Sequence, residues 1–372
     1  MKIVFSSNSS WSVYNFRLNL LHELSKRGYT VIIVAPPGEY LNKLKDNGFE
    51  ISPIEINNYS KGILDNLHLI YKLYLKYKYL KPDIVLHNAI KPNIYGSLVC
   101  RFLQIPVINN ISGLGSLFIG DSYLKKIAVF FYRLSQKKAF RVFFQNQFDF
   151  DLFLNLKIIN TYQAALIPGS GVDLERFKPK KKLFFDNSLK FCFVGRLIKD
   201  KGIYEYIEAA EKIKEKYSNV KFYILGEMMP QNPNSISQID LNNWQNKKTI
   251  HYLGKTDFVE NELNKFDCVV LPSYREGLSR VLLEASSMAI PIITTNVPGC
   301  VDVVENNING FVAKVKDIDD LILQIEKIIN LSKIERDIMG ENGRKIIENK
   351  FDEKIVINSY LKTIEDVIKK NN

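Results

Sequence analysis

Two glutamates, Glu276 and Glu284, stand eight residues apart in the segment Leu271-Pro-Ser-Tyr-Arg-Glu-Gly-Leu-Ser-Arg-Val-Leu-Leu-Glu-Ala285. The segment leaves an apolar run, turns at Glu276-Gly277 and opens a helix near Ser279. A helix start presents backbone N–H groups and a positive dipole end, so Gly277, Leu278 and Ser279 could cradle a phosphate. Glu276 ahead of the helix and Glu284 about a turn inside it would face one cleft at different depths and grip two sets of hydroxyls. Alone, this spacing more often marks an N-terminal charge and a solvated face. A second segment adds weight. Gly195-Arg196-Leu-Ile-Lys-Asp-Lys201-Gly202 follows another apolar run and sets two cations, Arg196 and Lys201, at its carboxyl end. Opposite a helix start, such a pair would form a diphosphate clamp. The turn Pro298-Gly299-Cys300 offers further backbone donors.

The elements that must carry these residues are legible as alternation. Short apolar, β-rich runs at 2–7, 30–35, 50–55, 83–87, 107–111, 141–145 and 164–167 alternate with helical segments such as 17–27. A second series at 190–194, 220–225, 249–253, 267–271, 291–294 and 310–313 alternates with 203–217, 280–288 and 317–331. Strands buried on both faces read as continuous apolar runs, and their alternation with helices predicts parallel α/β sheets. The series restarts after the Lys- and Pro-rich stretch 177–188, the expected linker. The fold class is therefore α/β, with two Rossmann-like doubly wound domains facing across a cleft and the site at the carboxyl ends of the strands. Residues 1–176 form the expected first domain and 188–351 the second, while a final helix near 352–370 has no strand after it.

Composition narrows the function. The 372 residues are 46% hydrophobic and 24% charged, which excludes disorder and small disulfide scaffolds. No stretch of about 18 apolar residues predicts a membrane span, and the start MKIVFSSNSSWSVYNF does not read as a signal peptide. The four cysteines lack metal or disulfide spacing. A cytoplasmic protein is expected. There is no GxGxxG, GxxxxGK[ST] or HExxH motif, so nicotinamide, flavin, P-loop and protein-bound metal chemistry are not expected.

The net charge of +11 lies wholly in one half. Residues 1–180 hold 23 Lys and Arg against 12 Asp and Glu, whereas residues 181–372 hold 28 of each. A one-sided surplus points to nucleic acid, an anionic membrane or a phosphate-bearing substrate. Two stretches, 71–81 (YKLYLKYKYLK) and 122–141 (SYLKKIAVFFYRLSQKKAFR), interleave this charge with aromatic and aliphatic residues. Each fits a helix lying in a membrane interface, and each also fits an ordinary amphipathic helix packed on a sheet. No helix-turn-helix, RRM or zinc finger supports a nucleic-acid partner.

Taken together, Glu276-x7-Glu284, Gly195-Arg196-x4-Lys201-Gly202, Gly171-Val172-Asp173-x2-Arg176-Phe177 and Pro298-Gly299-Cys300 resemble the retaining nucleotide-sugar glycosyltransferases of family 4, which have the GT-B fold. The resemblance runs from the first strand to the final helix. Tyr274-Arg275-Glu276-Gly277, Gly226…Asn232-Pro233-Asn234 and Ser112-Gly113-Leu114-Gly115 resemble a narrower group. That group builds bacterial surface polysaccharides and lipid-linked oligosaccharides, and includes transferases extending undecaprenyl-diphospho-bacillosamine.

The resemblance implies roles. Glu284 holds the donor ribose, Glu276 meets the donor-sugar hydroxyls, and Arg196 with Lys201 neutralises the diphosphate and the departing UDP. Gly195, Gly277, Leu278, Ser279, Pro298 and Gly299 complete the donor site. Front-face transfer then needs positioning and charge stabilisation rather than a carboxylate nucleophile. It also implies that the final helix returns to the first domain. The chain departs from the family in two places. Ser9-Ser10-Trp11 replaces a common Gly-Gly pair, and Ser112-Gly113-Leu114-Gly115 stands where many relatives place a histidine. Arg17, Lys91, His87, Gly113 and Gly115 remain as acceptor-side candidates, each with a structural reading beside it.

The expectation is a UDP-sugar-dependent, retaining, metal-independent hexosyltransferase with no cofactor. Its acceptor would be a polyprenyl-diphosphate-linked saccharide, reached from the inner face of the cytoplasmic membrane. A transferase with a soluble acceptor and a UDP-sugar 2-epimerase of the same fold are the alternatives.

Overall fold

The computed structural model describes residues 1–57, 62–114, 123–180 and 188–371, with the side chains of 123, 124 and 371 excepted. Gly115, residue 122 of the second basic stretch and residues 181–187 of the expected linker lie outside the described residues.

Two compact units divide the chain. Met1–Ser170 joins Lys354–Asn372 in the first, and Gly171–Glu353 is the second. The passage comes six residues before Arg176 because the segment after Ser170 is fixed to the second unit. Val172 bridges Asp352, Arg176 pairs with Glu260, and Phe177 sits in that unit's core.

In the first unit, seven parallel strands are seen among the described residues. They are β1 (Lys2–Ser7), β2 (Thr30–Val34), β3 (Glu50–Ile51), β4 (Ile84–Asn88), β5 (Val107–Ile111), β6 (Arg141–Phe144) and β7 (Ala164–Leu166). Their spatial order is β3-β2-β1-β4-β5-β6-β7. Between them run α1 (Ser10–Lys26), α2 (Glu39–Asp46), α3 (Ile63–Leu80), a π-helical turn Pro92–Gly96 leading into α4 (Ser97–Leu103), α5 (Tyr123–Gln136) and α6 (Gln147–Asn155). β4 and β5 are buried along their whole length, as strands covered on both faces must be.

The second unit repeats the plan. Its strands β8 (Leu189–Val194), β9 (Val220–Leu225), β10 (His251–Tyr252), β11 (Cys268–Leu271), β12 (Ile292–Thr295) and β13 (Gly310–Ala313) lie in the order β10-β9-β8-β11-β12-β13. The helices are α7 (Ile203–Lys216), α8 (Gln238–Asn246), α9 (Val259–Leu263), α10 (Arg280–Ser287), α11 (Ile318–Asn330) and α12 (Lys333–Lys350). The last helix, α13 (Glu353–Asn371), buries Val356, Tyr360, Leu361, Ile364 and Val367 against β1, β2 and α1 of the first unit.

Every apolar run expected as a strand holds one, and the differences are at edges. The expected strand 50–55 shortens to Glu50–Ile51, and Pro53 sits where its nitrogen faces the open side of this edge strand, so its missing N–H costs no bond to β2. Ser52 and Ile54 on either side of it still donate to Ile33 and Ala35 at 2.9 and 3.0 Å. The edge strand expected at 249–253 shortens to His251–Tyr252. The first helix starts at Ser10 rather than 17, since the Ser9 side chain caps it by accepting from the Ser12 N–H at 3.2 Å. All four cysteines are buried and unpaired with one another. No described helix is long and apolar enough to cross a membrane.

Candidate functional site

Both sheets reverse their strand order once, between β1 and β4 in the first unit and between β8 and β11 in the second. In open α/β sheets ligands bind outside the carboxyl ends of the strands at such points.

At the second point, four loops are braced against one another. The β8 loop passes through Gly195 and Arg196 into a 3-10 turn, Lys199–Lys201, and the Lys199 N–H donates to Asn234 O at 2.8 Å. Asn234 Nδ2 in turn donates to Asp200 Oδ2 at 3.1 Å. Gly202 then caps α7 with φ +73°, and a Cβ there would stand 2.0 Å from Pro272 O, so only glycine lets the β8 and β11 loops meet. From the β11 loop, the Tyr274 N–H donates to Asp200 O at 2.9 Å, and its hydroxyl donates to Glu205.

Lys201 and Glu276 join across this seam as an ion pair whose side chains are only 16% and 11% exposed. Taking both charges out of water is costly, so the loops must hold the pair in place. Arg196 is exposed, and no hydrogen bond or ion pair joins its side chain to another described residue.

The turn before α10 meets the turn after β12. Glu276 N–H faces Pro298 O at 3.4 Å, and Ser279 N–H donates to Gly299 O at 2.9 Å. Gly299 has φ +79°, and a Cβ would lie 2.7 Å from both Glu276 O and Gly277 O. Two of the N–H groups expected to face phosphate are thus engaged within the protein: that of Ser279, and that of Gly299, which donates to Asp302 Oδ2 at 2.8 Å. Gly277 and Leu278 are half-buried at the mouth of the turn. Ser279 makes no side-chain cap bond, so the first-turn amides of α10 receive none from their N-cap.

Glu284 lies on the second turn of α10 and is buried. Arg280 Nε donates to its Oε1 at 2.9 Å, and another guanidinium nitrogen of Arg280 donates to Gly171 O. Burial raises the Glu284 pKa above the ordinary carboxylate range, while Arg280 and Arg176 pull it down and Glu260 pushes it up. The sequence reading missed Arg280, although its i,i+4 spacing to Glu284 is a readable signal.

The acceptor-side candidates of the first unit are placed differently. His87 is 1% exposed, and a Cβ on Gly96 would lie 2.3 Å from its Nε2. Its Nδ1 faces Asn109 Oδ1 at 2.9 Å and its Nε2 faces the Tyr77 hydroxyl at 3.1 Å. An amide oxygen can only accept, so Nδ1 carries the proton and Tyr77 donates to Nε2. Burial drops the His87 pKa to about 4, so the ring is neutral. Both nitrogens are therefore used within the protein.

Around it run further buried amides. Asn109 donates to Gln136, Gln136 to Asn93 O at 2.8 Å, and Gln145 to Asn110 Oδ1 at 3.2 Å. Asn88 Oδ1 and Asn93 Oδ1 have no hydrogen-bond partner among the described residues. Arg17 is buried beneath α13 with its guanidinium 5.7 Å from the Tyr360 ring centroid. Lys91 Nζ donates to Asn57 O at 2.7 Å and to Asn66 Oδ1 at 3.3 Å. Gly113, with φ +122°, follows β5. No group of three or more His, Cys, Asp or Glu is placed to hold a metal among the described residues.

Comparison with known proteins gives this geometry a family. Residues 175–346 match the family described as glycosyl transferases group 1, and residues 2–146 match the glycosyl transferase 4-like family. The chain is 29% identical over 385 residues to the N,N'-diacetylbacillosaminyl-diphospho-undecaprenol alpha-1,3-N-acetylgalactosaminyltransferase of Campylobacter jejuni, covering 99% of this chain and 100% of that protein. It is 30% identical over 305 residues to the UDP-Gal:alpha-D-GlcNAc-diphosphoundecaprenol alpha-1,3-galactosyltransferase of Escherichia coli, covering 77% of this chain and 76% of that one. Among solved structures, Anabaena HepE in complex with UDP and glucose aligns with a TM-score of 0.81 at 17% identity, over 98% of this chain and 99% of that chain, a likeness of fold. With a family match in each half, one relative matched along its whole length and another at 30% identity over three quarters of its length, the chain belongs to the group 1 and family 4-like glycosyltransferases, with their GT-B fold of two Rossmann-like domains.

Proposed function

We propose that the chain moves a hexose or N-acetylhexosamine from a UDP-sugar, with retention of configuration, to a saccharide carried on polyprenyl diphosphate during assembly of a bacterial surface or glycoprotein glycan. The observation that carries the reading is the Lys201–Glu276 pair held across the second switch point. The relatives named above, which act on undecaprenyl-diphosphate-linked sugars, support the acceptor class.

In this reading the second unit binds the donor. Lys201, joined by Arg196, neutralises the diphosphate, and their charge stabilises UDP as it leaves without a protein-bound metal. The diphosphate takes over the Lys201 ammonium, freeing the Glu276 carboxylate to accept from sugar hydroxyls. Gly195, Gly277, Leu278 and Pro298 shape the backbone around the phosphates, with the uncapped amides of α10 facing them. Glu284 accepts from the ribose hydroxyls. The acceptor hydroxyl attacks on the face the UDP leaves, and the protein contributes position and charge.

The first unit takes the acceptor. Lys91 binds its diphosphate, and the orphan oxygens of Asn88 and Asn93 accept from its sugar hydroxyls. His87, closed in by Gly96, positions those amides rather than meeting substrate, and Arg17 fixes α1 to α13. Gly113, with its positive φ, turns the chain after β5 toward the acceptor. The basic surplus of the first half holds the enzyme peripherally on the anionic inner leaflet.

The test is UDP release from a panel of UDP-sugars, with and without an undecaprenyl-diphosphate-linked saccharide extract. Release that requires the extract is expected and names the donor. Release supported by soluble sugars alone overturns the lipid-linked acceptor, and silence with every UDP-sugar overturns the donor class.

A further inference from the structure

Helix α3 has two unlike faces. Leu69, Leu73 and Tyr77 pack inward, while Ile63, Leu67, Tyr71, Leu75 and Tyr79 form an i,i+4 stripe that stays in water. Ile63 and Leu64, on its first turn, are 77% and 81% exposed. Beside the stripe, Leu67, Ile70, Tyr71 and Tyr74 of α3 face Leu98 and Phe102 of α4 across a groove of about 370 Å³. Tyr74 and Phe102 meet edge-on with ring centroids 5.8 Å apart, which closes one wall. Phe102 is 75% exposed, and no charged side chain lines the groove. A contiguous apolar surface of this kind on a soluble face marks a binding site.

The head of the groove is cationic. Lys91 Nζ donates to Asn66 Oδ1, and Asn66 immediately precedes Leu67. Burial lowers the pKa of this ammonium, so its charge gains from an arriving anion. Both the first turn of α3 and the turn before α4 sit at the carboxyl edge of the sheet, beside β4. An anion bound at Lys91 therefore has an apolar trough leading away from it. Further along α3, Lys78 is exposed, whereas Lys72 pairs with Glu55 and Lys76 donates to Ser52 Oγ at 3.0 Å.

We propose that the α3–α4 groove seats the head-proximal isoprene units of the acceptor lipid, with Lys91 on its diphosphate. The proposal rests on the reading that the acceptor is polyprenyl-linked, and commits to a lipid chain rather than a planar bilayer. A trough walled by two helices, cationic at one end and apolar along its length, complements a single amphiphilic anion. A flat membrane surface would be matched by the stripe alone.

The experiment compares one saccharide diphosphate on farnesyl and on straight-chain dodecyl, in detergent-free buffer, for wild type and for the double variant Leu67→Ser, Phe102→Ser. Both side chains are exposed, and an unchanged Tm together with an unchanged KM for the UDP-sugar verifies the fold. The wild type is expected to show a KM for the farnesyl acceptor about tenfold below that for the dodecyl acceptor, a preference the variant loses. An unaltered preference in the variant, or an equal loss with both acceptors, overturns the groove. If the wild type uses neither lipid acceptor yet transfers to a soluble saccharide, the underlying acceptor reading fails first and the groove falls with it.

Discussion

The two sheets share one strand order and build their switch points from different materials. In the second unit the loops after β8, β11 and β12 are sewn together mostly by backbone groups, around the nearly buried Lys201–Glu276 pair, the exposed Arg196 and the first-turn amides of α10, which their N-cap side chain leaves unbonded. In the first unit the ends of β4 and β5 carry His87, Asn109 and Asn110, joined by Gln136, Gln145 and Tyr360 through side-chain hydrogen bonds, with the orphan oxygen of Asn88 on the same strand end. Topology decides where a ligand can sit, and side chains decide what it can be. A backbone-braced turn with cations suits an invariant group such as a diphosphate. A cluster of amides suits hydroxyls, whose number and placement vary among saccharides.

The largest effect separates the two regions outright. Lys201→Ala should lower kcat by two to three orders of magnitude, about 3–4 kcal/mol of lost charge stabilisation. Circular dichroism should stay near wild type while Tm falls, because the substitution leaves the nearly buried Glu276 carboxylate without its cation. Steady-state UDP release on the identified acceptor reads it directly. Turnover close to wild type would mean that the second switch point is not the charged one, and the contrast drawn above would collapse.

That contrast also explains what the sequence could and could not tell. The residues proposed for the donor belong to short segments with glycines and charges at close offsets, such as Gly195-Arg196-x4-Lys201-Gly202, so their chemistry is legible along the chain. Strands β8 and β11 are legible because burial on both faces leaves near-continuous apolar runs, whereas β4 and β5 show only their apolar starts, Ile84–Leu86 and Val107–Ile108, before polar ends. The first-unit network is not legible, since Tyr77, His87, Asn109 and Gln136 come from four separate elements and meet only after folding. A histidine at a strand end reads alike whether solvent or Gly96 lies over it. The seven residues between Arg17 and the true start of α1 were missed for a local reason. Four serines and an asparagine before Trp11 look like a loop, yet Ser9 is a cap. Arg280 reads along the chain as an ordinary first-turn cation, and only the burial of Glu284 beside it makes it a partner of that carboxylate.

A second variant strikes the first unit alone. Gly96→Ala would drive a Cβ to within 2.3 Å of His87 Nε2, inside a filled network that cannot yield without breaking the Tyr77 or Asn109 bond. Overpacking of this kind costs about 1–3 kcal/mol, read as a lower Tm or urea midpoint. UDP affinity, measured by calorimetry below the transition, should be unchanged, since the donor residues all lie in the other unit. Loss of UDP binding with a native Tm would show that the two switch points are not separable in this way.

The smallest effect probes Glu284, a proposed donor residue held by Arg280. Glu284 is buried, and desolvation holds its pKa above the ordinary range, with Arg280 the foremost group pulling it back, Arg176 assisting and Glu260 opposing. An ionised carboxylate can accept from both ribose hydroxyls, whereas the protonated acid gives up part of that capacity. Donor KM should therefore rise as pH falls through the Glu284 pKa. Removing Arg280 removes a group that lowers this pKa, so in Arg280→Ala the rise must begin at higher pH than in wild type. At neutral pH the variant should raise KM for the UDP-sugar about five- to tenfold, near 1 kcal/mol, with kcat little altered. Arg280→Lys restores a cation and should return the acid limb toward wild type. It cannot reproduce the guanidinium fork that reaches both Glu284 and Gly171 O, so part of the KM increase should persist. A limb that stays in place in Arg280→Ala would mean that Glu284 does not meet the donor as an anion. The second switch point would then hold its nucleoside by backbone alone, which is the arrangement already seen in its loops carried to its limit.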